Sequence, residues 1–261
     1  MGRASWLRPR YTRENGKPRL RARLGSVYSA RMSRLLGKTA IVTGASSGIG
    51  KAVATALAEE GCAVVGFSRR FAAATLMQLP RPGSVAEVQL DVTDEAAVKA
   101  RFDELPNIDL LVCSAGNAHY APIVNSRVEE LRAMLDVHII GTYLCARAAL
   151  RRMQLQKSGH IVNIGSVAAH RAFTDCGAYT AAKAGQLGLT RVLAEEARPY
   201  NVRVTAFLPG ATDTPIWDDR PGFDRAKMMS PTQVAGFLLS IVARPGVAVE
   251  EVTVMPPGGS L

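Results

Sequence analysis

From Leu36 to its C-terminal end this 261-residue chain alternates short apolar runs with longer helical patterns, and that alternation restricts its fold more than any other feature. The apolar runs are Thr39–Thr43, Cys62–Phe67, Val85–Asp91, Ile108–Cys113, His160–Ile164, Val202–Phe207 and Val249–Val254. Several are continuous rather than alternating, as strands buried on both faces are. Helical patterns fall between them near 48–60, 94–104, 127–157, 177–198 and 231–243. Strand–helix alternation predicts parallel strands joined by right-handed crossovers, with helices on both faces of one doubly wound α/β sheet. No repeat or low-complexity linker divides residues 35–261, so they read as a single domain.

The formal charge of +10 suggests a nucleic-acid partner until its distribution is considered. Residues 1–34 carry ten Lys or Arg against Glu14 alone, nine of the ten net charges, which leaves the body with one. A nearly neutral body has no basic field for a phosphate backbone, so no nucleic-acid partner is expected there. The tail itself fits a disordered extension, a translation start placed upstream of Met32, an Arg-rich targeting peptide or a polyanion-binding segment. No run approaches 18 uninterrupted apolar residues, so no membrane span is expected. Cys62, Cys113, Cys145 and Cys176 are scattered without CxxC pairing, and no ligand cluster forms around the four His. Free thiols and no metal are therefore expected, in a reducing compartment: the cytoplasm, or an organelle if the tail is a targeting peptide.

Chemistry enters at Thr43-Gly44-Ala45-Ser46-Ser47-Gly48-Ile49-Gly50, between the first strand and the first helix. Glycines in such a turn allow a sharp reversal, close approach of a pyrophosphate and tight helix–strand contact. The positive end of the helix then receives the phosphates, so Gly44, Ser46, Ser47, Gly48, Ile49 and Gly50 are expected to cradle a dinucleotide. The second strand ends in Ser68-Arg69-Arg70 rather than in the acid that would accept from a ribose 2′-OH about 20 residues past the glycines. Two guanidiniums and a hydroxyl suit a 2′-phosphate, which points to NADP(H).

A second constellation follows the strand that ends at Ile164. Gly165-Ser166 lies at its carboxyl edge, where ligands bind in a parallel sheet. Thirteen residues on, Tyr179 and Lys183 share one face of a helix. These residues, with TGASSGIG, the LDVTD at 90–94 and Pro209-Gly210 followed by Thr212 and Thr214, resemble the short-chain dehydrogenase/reductase family over roughly residues 36–256. The resemblance implies a seven-stranded Rossmann-type sheet and an NADP(H)-dependent oxidoreductase that interconverts a carbonyl and an alcohol. It places Asp91 and Val92 beside the adenine, Ala115, Gly116, Pro209 and Gly210 along the cofactor, and Thr212 at the nicotinamide carboxamide. Tyr179 becomes the general acid–base, Lys183 the group that lowers its pKa and grips the ribose, and Ser166 the donor that orients the carbonyl. Relatives pair through the two long helices, so a homodimer or homotetramer is expected. The same fold also admits a non-catalytic NADP(H)-binding regulator, against which the intact Ser–Tyr–Lys set argues.

The family pattern is broken in two places. Cys113-Ser114-Ala115-Gly116 stands where Asn-Asn-Ala-Gly is common, a change expected to cost local hydrogen bonds only. His138, in Asp136-Val137-His138-Ile139-Ile140-Gly141, stands where an Asn supports a water-linked proton relay; a neutral imidazole donates and accepts one bond each and could serve the same relay. His119, His160 and His170 read as structural or rim residues. Trp217, Phe223, Met228 and Met229 fall in the substrate lid and read equally as pocket wall or loop packing. The substrate stays open among a sugar, a steroid, a 3-oxoacyl thioester and a xenobiotic ketone.

Overall fold

The computed structural model describes residues 12–14, 17–19, 35–73, 79–220 and 222–259. Within the basic tail, where composition predicts no order, β1 (Thr12–Glu14) pairs antiparallel with β2 (Lys17–Arg19). The remaining expectations for the tail lie outside the described residues.

The body forms one parallel sheet of seven strands in the order β5-β4-β3-β6-β7-β8-β9. They are β3 (Thr39–Thr43), β4 (Ala63–Ser68), β5 (Ser84–Gln89), β6 (Leu110–Cys113), β7 (Gly159–Ile164), β8 (Val202–Pro209) and β9 (Glu251–Val254). The chain runs outward from β3 to β5, then returns to the other side of β3 and continues to β9. This reversal opens a crevice at the carboxyl ends of β3 and β6, where doubly wound sheets bind their ligands. Helices α1 (Gly48–Glu59) and α6 (Pro231–Val242) cover one face; α2 (Glu95–Asp103), α4 (Thr142–Gln156) and α5 (Gly177–Ala197) cover the other.

Central strands are buried along their length because both faces carry apolar side chains, as the continuous runs predict. The edges differ. β5 and β9 expose part of their side chains, and β9 starts two residues later than its apolar run. Helix starts follow local chemistry: Asp94 caps α2 by accepting from the Ala97 N–H, while Ser230 and Gln233 form a reciprocal box across the first turn of α6, which opens at Pro231.

The helix predicted over 127–157 departs from regularity. It is α3 (Val128–Leu135), a π-type stretch over Asp136–Gly141, then α4. Periodicity cannot show one extra residue in a turn, and π stretches concentrate at functional sites. This one carries His138. By length and composition Val128–Gln156 could cross a membrane, yet 56% of its most apolar window is buried inside the domain, as in a core helix.

Candidate active site

A cavity of about 790 Å³ runs along the carboxyl edge of the sheet from the glycine turn to the lid after β8. At one end the buried hydroxyl of Thr43 accepts from the Ser114 and Ala115 N–H groups, both at 3.1 Å, and so fixes the loop after β6 against the turn. Gly44, at φ +70°, sits so close that a Cβ would lie 2.7 Å from the Ser114 carbonyl oxygen. A Cβ on Gly50 would lie 2.4 Å from the Gly44 oxygen. Glycine is required there by backbone docked on backbone. Ser47, ahead of α1, caps no N–H with its side chain, which leaves the helix's first donors and positive end to a ligand.

The two arginines after β4 have different partners. Arg70 donates to the Ser46 hydroxyl at 3.0 Å and the Ser47 hydroxyl at 2.5 Å, while Ser46 and Ser68 share a 2.7 Å bond. Arg69 lies 3.8 Å from Asp91. Burial, which would raise the Asp91 carboxyl, is outweighed by donation from the Thr93 N–H and hydroxyl and by Arg69, so its pKa is lowered. Val92, Ala115, Gly116, Pro209, Gly210 and Thr212 line the same cavity, with the Thr212 hydroxyl donating to the Gly210 carbonyl at 3.0 Å.

At the other end Ser166, just beyond β7, accepts from the Ala168 N–H at 3.1 Å and lines the same cavity as Tyr179, whose pKa it lowers in part. Lys183 lies one helical turn on, its ammonium 5.8 Å from the Tyr179 ring centre. It donates to the Ile164 carbonyl at 2.9 Å and to Gln186 Oε1 at 3.0 Å. His138 meets Tyr179 edge-on with centroids 5.7 Å apart. Its Nε2 donates to the Asn117 carbonyl at 2.7 Å, and its buried Nδ1 has no partner among the described residues.

Burial holds the Tyr179 phenol well above the ordinary tyrosine value, Tyr120 adds to the rise, and Ser166 offsets only part of it. Burial instead draws Lys183 down to about 7 and, helped by Lys183, draws His138 down to about 3. His138 is neutral at physiological pH, as a relay would require.

Of the lid residues, Trp217 and Phe223 line the cavity with ring centroids 5.0 Å apart. Met228 and Met229 are buried beneath the lid, where Met229 joins the core, so these two take the packing role. His160 is a core residue bonded to Thr205 at 2.8 Å, and His170 is a surface residue beside Glu251 at 2.6 Å. Sequence reasoning missed the partners of the ammonium, since Gln186 bonds onward to Thr142 at 3.0 Å. A polar residue three places after Lys183, on the same helix face, was the available signal. It also missed Arg220 and Tyr120, which meet only through the fold.

A model of the short chain dehydrogenase family matches residues 38–222. An uncharacterised oxidoreductase of Staphylococcus aureus (strain USA300) is 37% identical over 232 residues, 86% of this chain and 100% of the relative. A solved short chain dehydrogenase/reductase family protein superposes with a TM-score of 0.75 at 32% identity, covering 86% of this chain and 98% of that one. The alcohol dehydrogenase of Thermococcus sibiricus, solved with 5-hydroxy-NADP, shares the fold at a TM-score of 0.73 and 24% identity, over 84% of this chain and 97% of that one.

Proposed function

Because the chain belongs to the short-chain dehydrogenase family and is an oxidoreductase of CH–OH-type substrates using NAD(P)(H), we propose that it is an NADP(H)-dependent carbonyl reductase with Tyr179 as its proton donor. The observation that carries this reading is that Ser166, Tyr179 and Lys183, the last one helical turn from Tyr179, line the same cavity as the glycine turn. The residues fit a dinucleotide: open helix donors, a close backbone cradle and a continuous groove to Tyr179. Gly44, Ser46, Ser47, Gly48, Ile49 and Gly50 hold its phosphates. Asp91 and Val92 border the adenine; Ala115, Gly116, Pro209, Gly210 and Thr212 flank the nicotinamide half.

Arg70, with Ser46, Ser47 and Ser68, supports the NADP(H) preference, because a 2′-phosphate can take over bonds that the serines now share with the guanidinium. When bound, the reduced nicotinamide supplies hydride to the carbonyl carbon. Ser166 donates to the carbonyl oxygen and sets its distance from Tyr179. A phenol held high by burial stays protonated across physiological pH, so Tyr179 is poised to give its proton to that oxygen in the reductive direction. Lys183 offsets the negative charge left on the phenolate and binds the ribose hydroxyls. His138 stands in for the relay Asn, its bare Nδ1 offering an acceptor to a water that returns the proton.

We further propose a cytoplasmic homodimer or homotetramer that pairs through the helices over 127–157 and 177–198, whose outer faces expose Ile140, Tyr143, Leu155 and Val192. The test of function is a panel of small carbonyl compounds followed at the NADPH absorbance. Tyr179→Phe is expected to lose about two orders of magnitude in kcat or more, with coenzyme affinity retained. Equal turnover by that variant would overturn the assignment.

A further inference from the structure

Two arginines of the lid, close in sequence, have opposite surroundings. Arg225 is saturated, donating to Asp213 at 2.5 Å, to Asp218 at 2.8 Å and to the Thr214 carbonyl at 3.1 Å. Its geometry is explained by holding the loop. Arg220 has no carboxylate within ion-pair distance among the described residues, although Asp218 and Asp219 immediately precede it. Its protein acceptors are distant, the Thr174 carbonyl at 3.5 Å and Cys176 Sγ at 3.8 Å. Bonds that long contribute little and leave most of its five N–H donors available.

What positions Arg220 is a cage of rings. Its guanidinium carbon lies 4.2 Å from the Tyr120 ring centre, 4.8 Å from Phe223 and 5.8 Å from Trp217. Stacking fixes the plane of a guanidinium while its edge donors stay unused, which is how an anion receptor is pre-organised. The cage belongs to the catalytic cavity. Tyr120 links the two, with its ring centre 6.0 Å from that of Tyr179. Asp219, which lines the same cavity, is exposed, whereas Arg220 is half-buried.

We propose that the substrate is an anionic carbonyl compound whose carboxylate or phosphate is received by Arg220, one tyrosine ring away from the carbonyl that Ser166 and Tyr179 hold. This rests on the reductase reading and narrows its substrate class. It makes Arg220 a residue that selects substrate by charge and leaves the hydride and proton transfers to the groups already described.

The experiment uses the full-length enzyme and compares matched compounds: 4-oxopentanoate with its methyl ester, and dihydroxyacetone phosphate with dihydroxyacetone. In wild type the charged member of at least one pair is expected to have a kcat/KM about tenfold or more above its neutral counterpart. Arg220→Gln should remove that difference through KM while neutral turnover persists, which also shows that the lid still forms. Arg220→Lys should restore part of the preference. Which pair responds separates a carboxylate from a phosphate. A second readout is independent of turnover: oxamate or methyl phosphate, titrated into coenzyme-free protein, should quench Trp217 in a Trp6→Phe background, and Arg220→Gln should weaken that binding about tenfold. Equal handling of acid and ester by wild type, equal losses on both in Arg220→Gln, or no quenching by either anion would overturn the proposal. Quenching without reduction of any carbonyl would instead sink the reductase reading and leave the anion site standing.

Discussion

Around the glycine turn the polar side chains already have protein partners, whereas around Tyr179 buried polar groups are left without them. Thr43, Ser46, Ser47, Ser68, Arg70 and Asp91 are all hydrogen-bonded, and two glycines dock backbone on backbone. Of the five buried side-chain atoms without a partner among the described residues, His138 Nδ1 and Asn117 Oδ1 flank the cavity wall, and Thr180 Oγ1 is on the residue after Tyr179. Orphaned buried polar atoms are rare, and each costs about 1–3 kcal/mol of desolvation. The lesson is a division of labour. On the proposed reading, one end is a cradle whose shape does the binding, and the other concedes stability to keep aligned dipoles and a buried amine ready for charge that appears during reaction.

The largest expected effect tests the cradle. Gly44→Ala places a side chain at φ +70° and a Cβ 2.7 Å from the Ser114 carbonyl. The conformation alone costs about 1–3 kcal/mol, before the loops are pushed apart. Both the thermal midpoint and NADPH affinity are expected to fall together. A variant stable as wild type, with unchanged affinity, would show that backbone docking does not define this end.

How far each end was legible follows the same division. The cradle is written in consecutive residues, since a glycine spacing between a strand and a helix dictates the geometry, and the central strands announce themselves by unbroken apolar runs. The reaction end was legible only where residues share a strand edge or a helix face, as Ser166, Tyr179 and Lys183 do. The Lys183–Gln186–Thr142 chain joins two helices across 44 residues of sequence, and the Arg220 cage joins Tyr120 to a lid a hundred residues later. No local period encodes such pairs. The burial that holds the Tyr179 phenol high is likewise a property of the whole fold, which adjacency in sequence does not show.

A smaller effect separates the two arginines of the cradle. Arg70→Ala removes the donors shared with Ser46 and Ser47 and is expected to cut the NADPH-over-NADH ratio of kcat/KM about 10- to 100-fold. Arg69→Ala should change that ratio far less, because Arg69 faces Asp91. Both side chains lie at the surface, so stability should move by less than about 0.5 kcal/mol. Equal wild-type efficiency with the two coenzymes would remove the phosphate assignment.

The smallest effect concerns titration at the reaction end. His138, drawn down to about 3, stays neutral and contributes no limb between pH 5 and 9; Lys183, drawn down to about 7, does. Reductive kcat should therefore fall as pH rises through about 7, because the ammonium that stabilises the emerging Tyr179 phenolate is lost. His138→Asn keeps a polar group in the segment and should leave both turnover and that limb within a few-fold of wild type. His138→Ala deletes the bare Nδ1 beside Gly116, and loss of that acceptor is expected to lower turnover about tenfold without moving the limb. If the alanine variant matches wild type at every pH, His138 takes no part in returning the proton. If its limb moves instead, His138 acts through the charge of Lys183, because a buried neutral dipole and a buried amine then share one electrostatic environment.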